Sequence, residues 1–372
     1  MAKFDNCLEL NKMDYKPYLP ILKWRQGEYQ ALLRLKPNVK QALRPLFVVP
    51  PIEYDFEQKK PKKNAQEHVE ALVDRLEKKW GTGLASLQLH ESLHDELMNN
   101  GEGVPTHIFN QLLVSKTTIQ PVIMFDYSDG YINKAVEYSK QKSCGLTIRI
   151  TFETLADNDL MSNLNKWIDG YSLNRANIDI VVDYDTSAEY VPQDKLAFVT
   201  SMLILNIDKF ASYRTIYLTG TTLDFSSVST KSYVEQPREY WDFYKYFYKE
   251  KITAIPNLGF GDYVIEPPGF APSLDMRKIK PAARIIYSTE DCWAISKGSA
   301  FRDNPAQMHT MCNDFVYKSG HFMGEKFSNG DMKIYECAHK QCGNGSLTTW
   351  KEAGISHHLS LIVHQLSNFH GT

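Results

Sequence analysis

The chain of 372 residues is 43% hydrophobic and 23% charged, an ordinary composition for a globular protein of one large or two medium domains. Its formal net charge of -2 and pI near 6.6 exclude a global excess of charge that would draw the molecule onto nucleic acid or an anionic membrane. The six cysteines lack the spacing of a disulfide-rich secreted domain, and no stretch reaches the roughly 18 apolar residues of a membrane span. We therefore expect a reduced, cytoplasmic protein without a signal peptide or membrane anchor.

Eight short apolar runs, rich in β-branched and aromatic residues, alternate with helical patterns along most of the chain. In chain order the predicted strands are residues 18–23, 45–53, 84–90, 120–126, 145–151, 177–183, 214–219 and 259–265. The helical patterns between them have apolar residues at three- and four-residue spacing, and the clearest are residues 65–79, 132–142, 185–211 and 239–251.

This alternation predicts a parallel sheet built from βαβ units. Several strands are apolar almost throughout, which is typical of strands covered by helices on both faces. Eight units in about 265 residues favour a TIM-type (β/α)₈ barrel. An open doubly wound sheet stays as the alternative, although no phosphate-binding glycine fingerprint follows the first strand.

After the eighth unit the alternation of predicted strands and helices ends. Residues 283–288 and 292–296 predict a hairpin, and the chain ends with a predicted helix over 347–366. No flexible linker separates these parts, so we expect a barrel over residues 1–299 and a C-terminal cap, residues 300–372, packed on it.

Polar residues gather where the predicted strands end, which in a barrel of this type is the mouth that carries the functional groups. The residues predicted to bind a ligand there are Lys23, Gln26, Glu28, Glu53, Asp126, Arg149, Asp183 and Asp262. Such a set suits a phosphate-bearing or nucleotide ligand, or a divalent cation held by hard oxygen ligands. The alternative is that each polar residue only caps the helix that follows its strand.

The first strand-to-helix turn is the most unusual segment, because Lys23, Arg25, Gln26 and Glu28 surround Gly27. A glycine there allows a turn conformation that leaves the amides at the helix start free to hold an anion. Alternatively, Glu28 itself complements the helix dipole and the turn is only a charged cap.

A second group of candidate ligands, Cys337, His339 and Cys342, precedes the last helix and its histidines. It contains neither a C-x-x-C pair nor a second pair of ligands at the spacing of a known zinc site. We therefore predict that Cys337 and Cys342 are free thiols without metal, and that His357, His358 and His364 are surface or capping residues.

Short motifs recur from the first strand to the last helix. They are residues 18–32, Pro45-Leu46 with Ile52-Glu53, Val182-Asp183-Tyr184, residues 218–222, residues 238–241, Gly261-Asp262-Tyr263, Thr348-Thr349-Trp350 and His357-His358. In these motifs the sequence resembles the bacteriophage and prophage beta protein family. The resemblance implies a protein carried by phages, prophages or bacterial defence islands beside a growth-inhibiting or antiviral partner, with a role in phage exclusion, immunity or toxin neutralisation.

Two functional hypotheses follow. The first is an interaction protein of such an immunity or toxin-neutralising system, with a toxin or defence effector as partner and a charged ligand site at the barrel mouth. The second is an enzyme of hydrolase or nuclease type, or a sensor, that acts on a phosphate-bearing or nucleotide ligand with or without a divalent cation. In both cases we expect uncompensated charges at the mouth, so that replacing Asp183 or Lys23 abolishes function without lowering stability.

Overall fold

The computed structural model of the chain describes residues 17–186, 189–270 and 279–370. The strands are β1 (Leu19–Lys23), β2 (Leu46–Val49), β3 (Tyr54–Asp55), β4 (Lys60–Pro61), β5 (Leu84–Leu89), β6 (Thr118–Ile123), β7 (Leu146–Thr151), β8 (Ile178–Asp183), β9 (Thr215–Gly220), β10 (Ser232–Pro237), β11 (Leu258–Asp262), β12 (Ala282–Ser288) and β13 (Cys292–Ala300). The helices are α1 (Gln26–Leu33), α2 (Pro37–Gln41), α3 (Ala65–Val69), α4 (Leu72–Lys79), α5 (Val104–Val114), α6 (Asp129–Lys142), α7 (Phe152–Leu155), α8 (Asn158–Gly170), α9 (Gln193–Leu205), α10 (Glu239–Lys251), α11 (Gln307–Lys318), α12 (Asn329–Ala338) and α13 (Leu347–His370). The N-terminal segment in which we expect no signal peptide lies outside the described residues.

Eight strands close into a parallel barrel in the order β1, β2, β5, β6, β7, β8, β9 and β11. The closing pair is β1 with β11, where Leu19 lies opposite Gly261 and the strands run parallel. This pair excludes the open sheet, and the predicted (β/α)₈ barrel is confirmed. Each predicted strand corresponds to one strand of the barrel.

The strands alternate between a face that fills the barrel and a face that packs on the helices. Leu19 and Ile21 of β1 belong to the inner apolar cluster, together with Tyr217 and Tyr263. The buried carboxylate inside the barrel at Asp179 is paired, since its Oδ1 accepts a hydrogen bond from Arg214 Nε over 2.8 Å. A buried charge of this kind requires a partner, and here it has one.

Several predicted boundaries differ from the observed ones. The second strand ends at Val49 rather than at residue 53, because Pro50 and Pro51 have no backbone N–H to continue the sheet. The predicted helix over 185–211 is shorter, covering Gln193–Leu205, and begins directly after Pro192. The pattern over 65–79 forms two helices, α3 and α4.

A second, antiparallel sheet has the order β10, β13, β12, so the predicted hairpin of β12 and β13 gains a third strand from the segment after β9. Its inner face packs with α11 and α12, and Tyr287, Cys312 and Ile334 lie in this second core. Helix α13 spans both cores, since Trp350 belongs to the second and Leu359 to the first. The hairpin therefore packs with the C-terminal helices, whereas the sequence placed the domain division after it, at residue 300.

Candidate functional site

The barrel mouth contains a buried ion pair between Arg149 of β7 and Asp183 of β8. Arg149 Nε donates to Asp183 Oδ2 over 2.9 Å and its Nη1 donates to Gln88 Oε1 over 2.7 Å. The Tyr263 hydroxyl donates to Asp183 Oδ2 over 2.6 Å. Burial opposes the charge of Arg149, but Asp183 outweighs it and the pKa of Arg149 lies above its ordinary value. The expectation of uncompensated charge is wrong for this pair.

Lys23, the last residue of β1, also points into the mouth, as Leu19 and Ile21 do on the same face of the strand. Its Nζ donates to the carbonyl oxygen of Gly269 and lies 4.9 Å from the centre of the Phe270 ring. Burial lowers the pKa of Lys23 to about 8, although Glu266 acts in the opposite direction. The loop after β11 therefore covers this lysine and keeps a fraction of it neutral near physiological pH.

A cleft of about 610 Å³ lies between the turn after β1, the loop after β11, strand β12 and the start of α13. Four cationic and three acidic side chains line it, namely Arg25, Arg75, Arg284, Lys351, Glu28, Glu53 and Glu266. Tyr29 is a partly exposed aromatic residue of the lining, and the buried Trp24 and Trp350 lie behind it. The volume is within the range of small-molecule sites in proteins.

The carboxylates of the cleft pair with Lys351 and Arg25 of its lining and with Lys62 outside it. Lys351 Nζ lies 2.7 Å from Glu28 Oε1 and 3.3 Å from Glu266 Oε1. Glu28 is buried, and burial raises its pKa even though Lys351 opposes the shift. Glu53 pairs with Lys62 over 2.7 Å, and this hydrogen bond lowers the pKa of Glu53.

Two arginines of the cleft have no ion-pair partner among the described residues. Arg284 lies 4.5 Å from the centre of the Phe225 ring, and burial lowers its pKa. Arg75 lies 5.5 Å from the centre of the Tyr29 ring. Each arginine is held by an aromatic ring and keeps its hydrogen-bond donors available for an anion.

Helix α1 begins at the wall of this cleft without a side-chain cap, because the residue before it, Arg25, makes no capping hydrogen bond. Gly27 lies in the first turn of α1 and not in a special turn conformation, which corrects the sequence-based interpretation. A Cβ there would lie 3.2 Å from Lys351 Cγ and Cδ, so the glycine lets Lys351 pass close to the helix. The first-turn amides of α1 border the cleft.

Seven of the eight predicted site residues divide into three groups. Lys23, Arg149 and Asp183 face the barrel mouth, whereas Gln26, Glu28 and Glu53 line the cleft. Asp126 lies beyond the end of β6, exposed to solvent.

Asp262 is turned out of the barrel, a correction to its predicted place at the mouth. It lies on the outer face of β11 with Phe260, because the next residue, Tyr263, is the one that points inward. Asp262 Oδ2 lies 2.7 Å from His358 Nε2 of α13, and the Tyr18 hydroxyl donates to Oδ1. Asp262 therefore joins the barrel to the last helix.

The histidines of α13 are also placed differently from the prediction. His357 and His358 are fully buried and each contacts a carboxylate, Asp331 and Asp262 respectively. His364 is half-buried, 3.1 Å from the Asn368 side-chain amide. The sequence showed their helical spacing but not that α13 is covered on both sides.

Cys337 and Cys342 are free thiols in the structure. Cys337 is buried, with its Sγ 3.6 Å from His309 Nδ1 of α11. His339 is directed elsewhere, since its Nε2 lies 2.7 Å from the Tyr317 hydroxyl.

Sequence reasoning missed Gln88, Tyr263, Arg75, Arg284 and Lys351. Strand alternation could have found Gln88 and Tyr263, which lie on the inner face two residues from other inward side chains. No sequence signal places Arg284 or Lys351 in the cleft, because they come from the hairpin and the last helix, whose docking is a tertiary feature.

The fold and its two charged sites define a (β/α)₈-barrel protein with a ligand-sized cleft between the barrel and a C-terminal cap. The chain belongs to the Beta protein family, whose model matches residues 18–364. Among solved structures it is similar to triosephosphate isomerase from Bartonella henselae, with 14% identity and a TM-score of 0.34 over 66% of this chain and 92% of that chain. No functionally curated protein matches the sequence. None of the helices in the described ranges is long and apolar enough to cross a membrane.

Proposed function

We propose that this protein binds a phosphate-bearing ligand of nucleotide size in the cleft between the barrel and the cap. The observation that carries the proposal is the pair Arg75 and Arg284, which lack ion-pair partners among the described residues while the three carboxylates of the cleft have them. An anion satisfies both guanidinium groups by charge-assisted hydrogen bonds.

The lining of the cleft suits a nucleoside diphosphate in particular. Arg75 and Arg284 contact the phosphates, and the amides at the start of α1 lie at the same wall. Tyr29, which is partly exposed, offers ring surface on which a base stacks, while Trp24 and Trp350 are 5% exposed and form the wall behind it.

As the biological setting we propose the one expected from the sequence resemblance, a cytoplasmic immunity or toxin-neutralising system of phages and prophages. In that setting ligand binding serves one of two purposes. Either the bound ligand changes how this protein acts on a protein partner such as a toxin or effector, or binding keeps the ligand away from that partner.

Calorimetric titration with ADP, inorganic pyrophosphate and inorganic phosphate tests the binding proposal. We expect ADP to bind most tightly, and Arg284→Gln to weaken ADP binding about 10- to 100-fold, the effect of removing a hydrogen bond to a charged group. Arg302→Gln, at an exposed arginine outside the cleft, is the matched control and leaves the affinity unchanged. Absence of ADP binding, or equal affinity in Arg284→Gln, contradicts the proposal.

A second candidate function is protein binding through helix α9. Phe198, Met202 and Leu205 are 64%, 48% and 44% exposed, and their spacing of four and three residues puts them on one face. An apolar stripe of this kind on the outside of a barrel is typical of an interaction surface. We propose that a separate protein, the partner of the immunity system, covers it.

Light scattering and a host protection assay on Phe198→Glu test this second candidate. We expect a monomer in both proteins and loss of protection only in the variant, with Lys195→Glu as the control on the same helix. A wild-type dimer that Phe198→Glu dissociates contradicts a separate partner, and full protection by the variant contradicts any role of the stripe.

A further inference from the structure

Three metal-binding side chains converge on the antiparallel sheet, away from the residues that line the cleft. Glu235 lies on β10, Cys292 is the first residue of β13, and His321 follows α11. One ligand atom from each, a carboxylate oxygen, the thiol sulfur and an imidazole nitrogen, lie within 4.8 Å of one another. The three residues are 86 positions apart at the widest, from Glu235 to His321, so the fold and not the local sequence brings them together.

The thiolate, imidazole and carboxylate of these residues favour one class of metal ion. A thiolate and an imidazole favour zinc over the hard cations magnesium and calcium, and a carboxylate commonly completes such a set. Three protein ligands leave one tetrahedral position for water, which is the arrangement of an accessible zinc site.

For one pair of ligand atoms the separation is close to what zinc requires, and the Cys292 sulfur lies within 4.8 Å of both, against the roughly 3.5 Å that a zinc–sulfur bond of about 2.3 Å implies. Glu235 Oε1 lies 2.7 Å from His321 Nε2 as a hydrogen bond. Two ligands of one tetrahedral zinc are roughly 3.3 Å apart, since each lies about 2.0 Å from the metal. Glu235 and His321 are partly exposed, with 46% and 27% of their side chains accessible, so a shift of about half an ångström is open to them.

Neighbouring groups orient the proposed ligands. The Tyr233 hydroxyl donates to Glu235 Oε1 over 2.9 Å. The Thr289 hydroxyl lies 3.2 Å from Cys292 Sγ and accepts a hydrogen bond from the Cys292 amide. Such second contacts fix the direction of a ligand and are a regular feature of metal sites.

We propose that Glu235, Cys292 and His321 form a zinc site that ties strands β10 and β13 to the segment between α11 and α12. The site is distinct from the Cys337, His339 and Cys342 group identified in the sequence, in which Cys337 contacts His309 and His339 contacts Tyr317. It is also independent of the ligand proposed for the cleft.

Metal content of the tag-free, full-length protein tests this proposal after chelation, incubation with Zn²⁺ and dialysis. We expect one zinc per chain in the wild type, and at least a tenfold lower affinity in both Cys292→Ser and His321→Ala. Cys342→Ser and His339→Ala are the matched controls and keep the metal.

Cobalt provides a readout that a merely structural role of Cys292 would not change. Co²⁺ bound to the wild type should show thiolate-to-cobalt charge-transfer absorption, absent from Cys292→Ser and present in Cys342→Ser. Melting curves in chelator identify variants that fail to fold, and Glu235→Gln then provides a second, milder test by weakening zinc binding at least tenfold. Zinc below stoichiometry in the wild type, or undiminished in Cys292→Ser, overturns the proposal.

Discussion

At the scale of single residues, the structure changes the meaning of the charges at the barrel mouth. The sequence shows Lys23, Arg149 and Asp183 at strand ends, which suggests a cluster awaiting a ligand. In the structure Asp183 already accepts hydrogen bonds from Arg149 and Tyr263. A strand-end carboxylate and its partner on the neighbouring strand are not distinguishable from a ligand site by sequence, because the pairing depends on the register between strands.

Asp183→Asn should therefore destabilise the protein, contrary to the sequence-based expectation. The substitution leaves the Arg149 guanidinium buried without its counter-charge, which costs about 3 kcal/mol of the free energy of unfolding. Urea denaturation measures the change. Asp126→Asn, at an exposed aspartate, is the control and should alter stability by less than about 0.5 kcal/mol. Equal stability of the two variants would show that the ion pair does not support the fold.

Lys23 should give the protein a distinctive alkaline stability profile. Its folded-state pKa is about 8 and its ordinary value is 10.5, with Glu266, Lys351, Arg25 and Glu28 as the charges that act on it. Between these pH values the unfolded chain binds more protons than the folded chain, so the contribution of Lys23 to stability rises with pH.

Denaturation of the wild type and of Lys23→Met, at pH values below and above the interval between these two pKa values, isolates the contribution of Lys23 to stability. We expect the wild type to gain stability relative to Lys23→Met between pH 7.5 and pH 10, pH values chosen to bracket roughly that interval. Parallel pH profiles for the two proteins would mean that Lys23 is not held in a partly neutral state.

At the scale of elements, the strands were predictable and the docking of the last helix was not. Apolar runs covered on both faces stand out in the sequence, as in β6 and β8. Strand β10 has the sequence SYVEQP, with alternate residues exposed, and lacks that signal. Helix α13 was predicted over 347–366, but its burial between two cores depends on His357 and His358, whose partners Asp331 and Asp262 are distant in sequence.

His358→Gln should loosen α13 without opening the barrel. His358 contacts Asp262 and stacks on Trp293 with ring centres 5.0 Å apart, and burial lowers its pKa. Removing the ring costs about 2 kcal/mol from the hydrogen bond and the aromatic contact together. Hydrogen exchange should become faster across α13 while the barrel strands stay protected.

The matched control for this prediction is His364→Gln on the half-buried face of the same helix. It should leave exchange in α13 close to that of the wild type. Unchanged exchange in His358→Gln would mean that the Asp262 contact does not hold the helix.

At the scale of the whole molecule, the barrel rule predicts a site at the end of the barrel that borders the cleft, but it identifies only some of the cleft residues. Gln26, Glu28 and Glu53 come from strand ends, whereas Arg284 and Lys351 come from the cap. The cleft exists because the hairpin and α13 pack beside the first strand-to-helix turn. That arrangement depends on packing between residues more than 200 positions apart. Local sequence patterns predict helices and strands but not which distant elements pack together.

Hydrogen exchange with and without saturating ADP tests the central claim, that the cleft and not the barrel mouth binds the ligand. We expect ADP to slow exchange in peptides covering residues 24–29 and 347–351, which line the cleft. Peptides covering residues 149–151 and 183–185, at the mouth, should exchange at the same rate with and without ADP. Protection confined to the mouth peptides, with none at 24–29 or 347–351, would show that the ligand does not bind in the cleft.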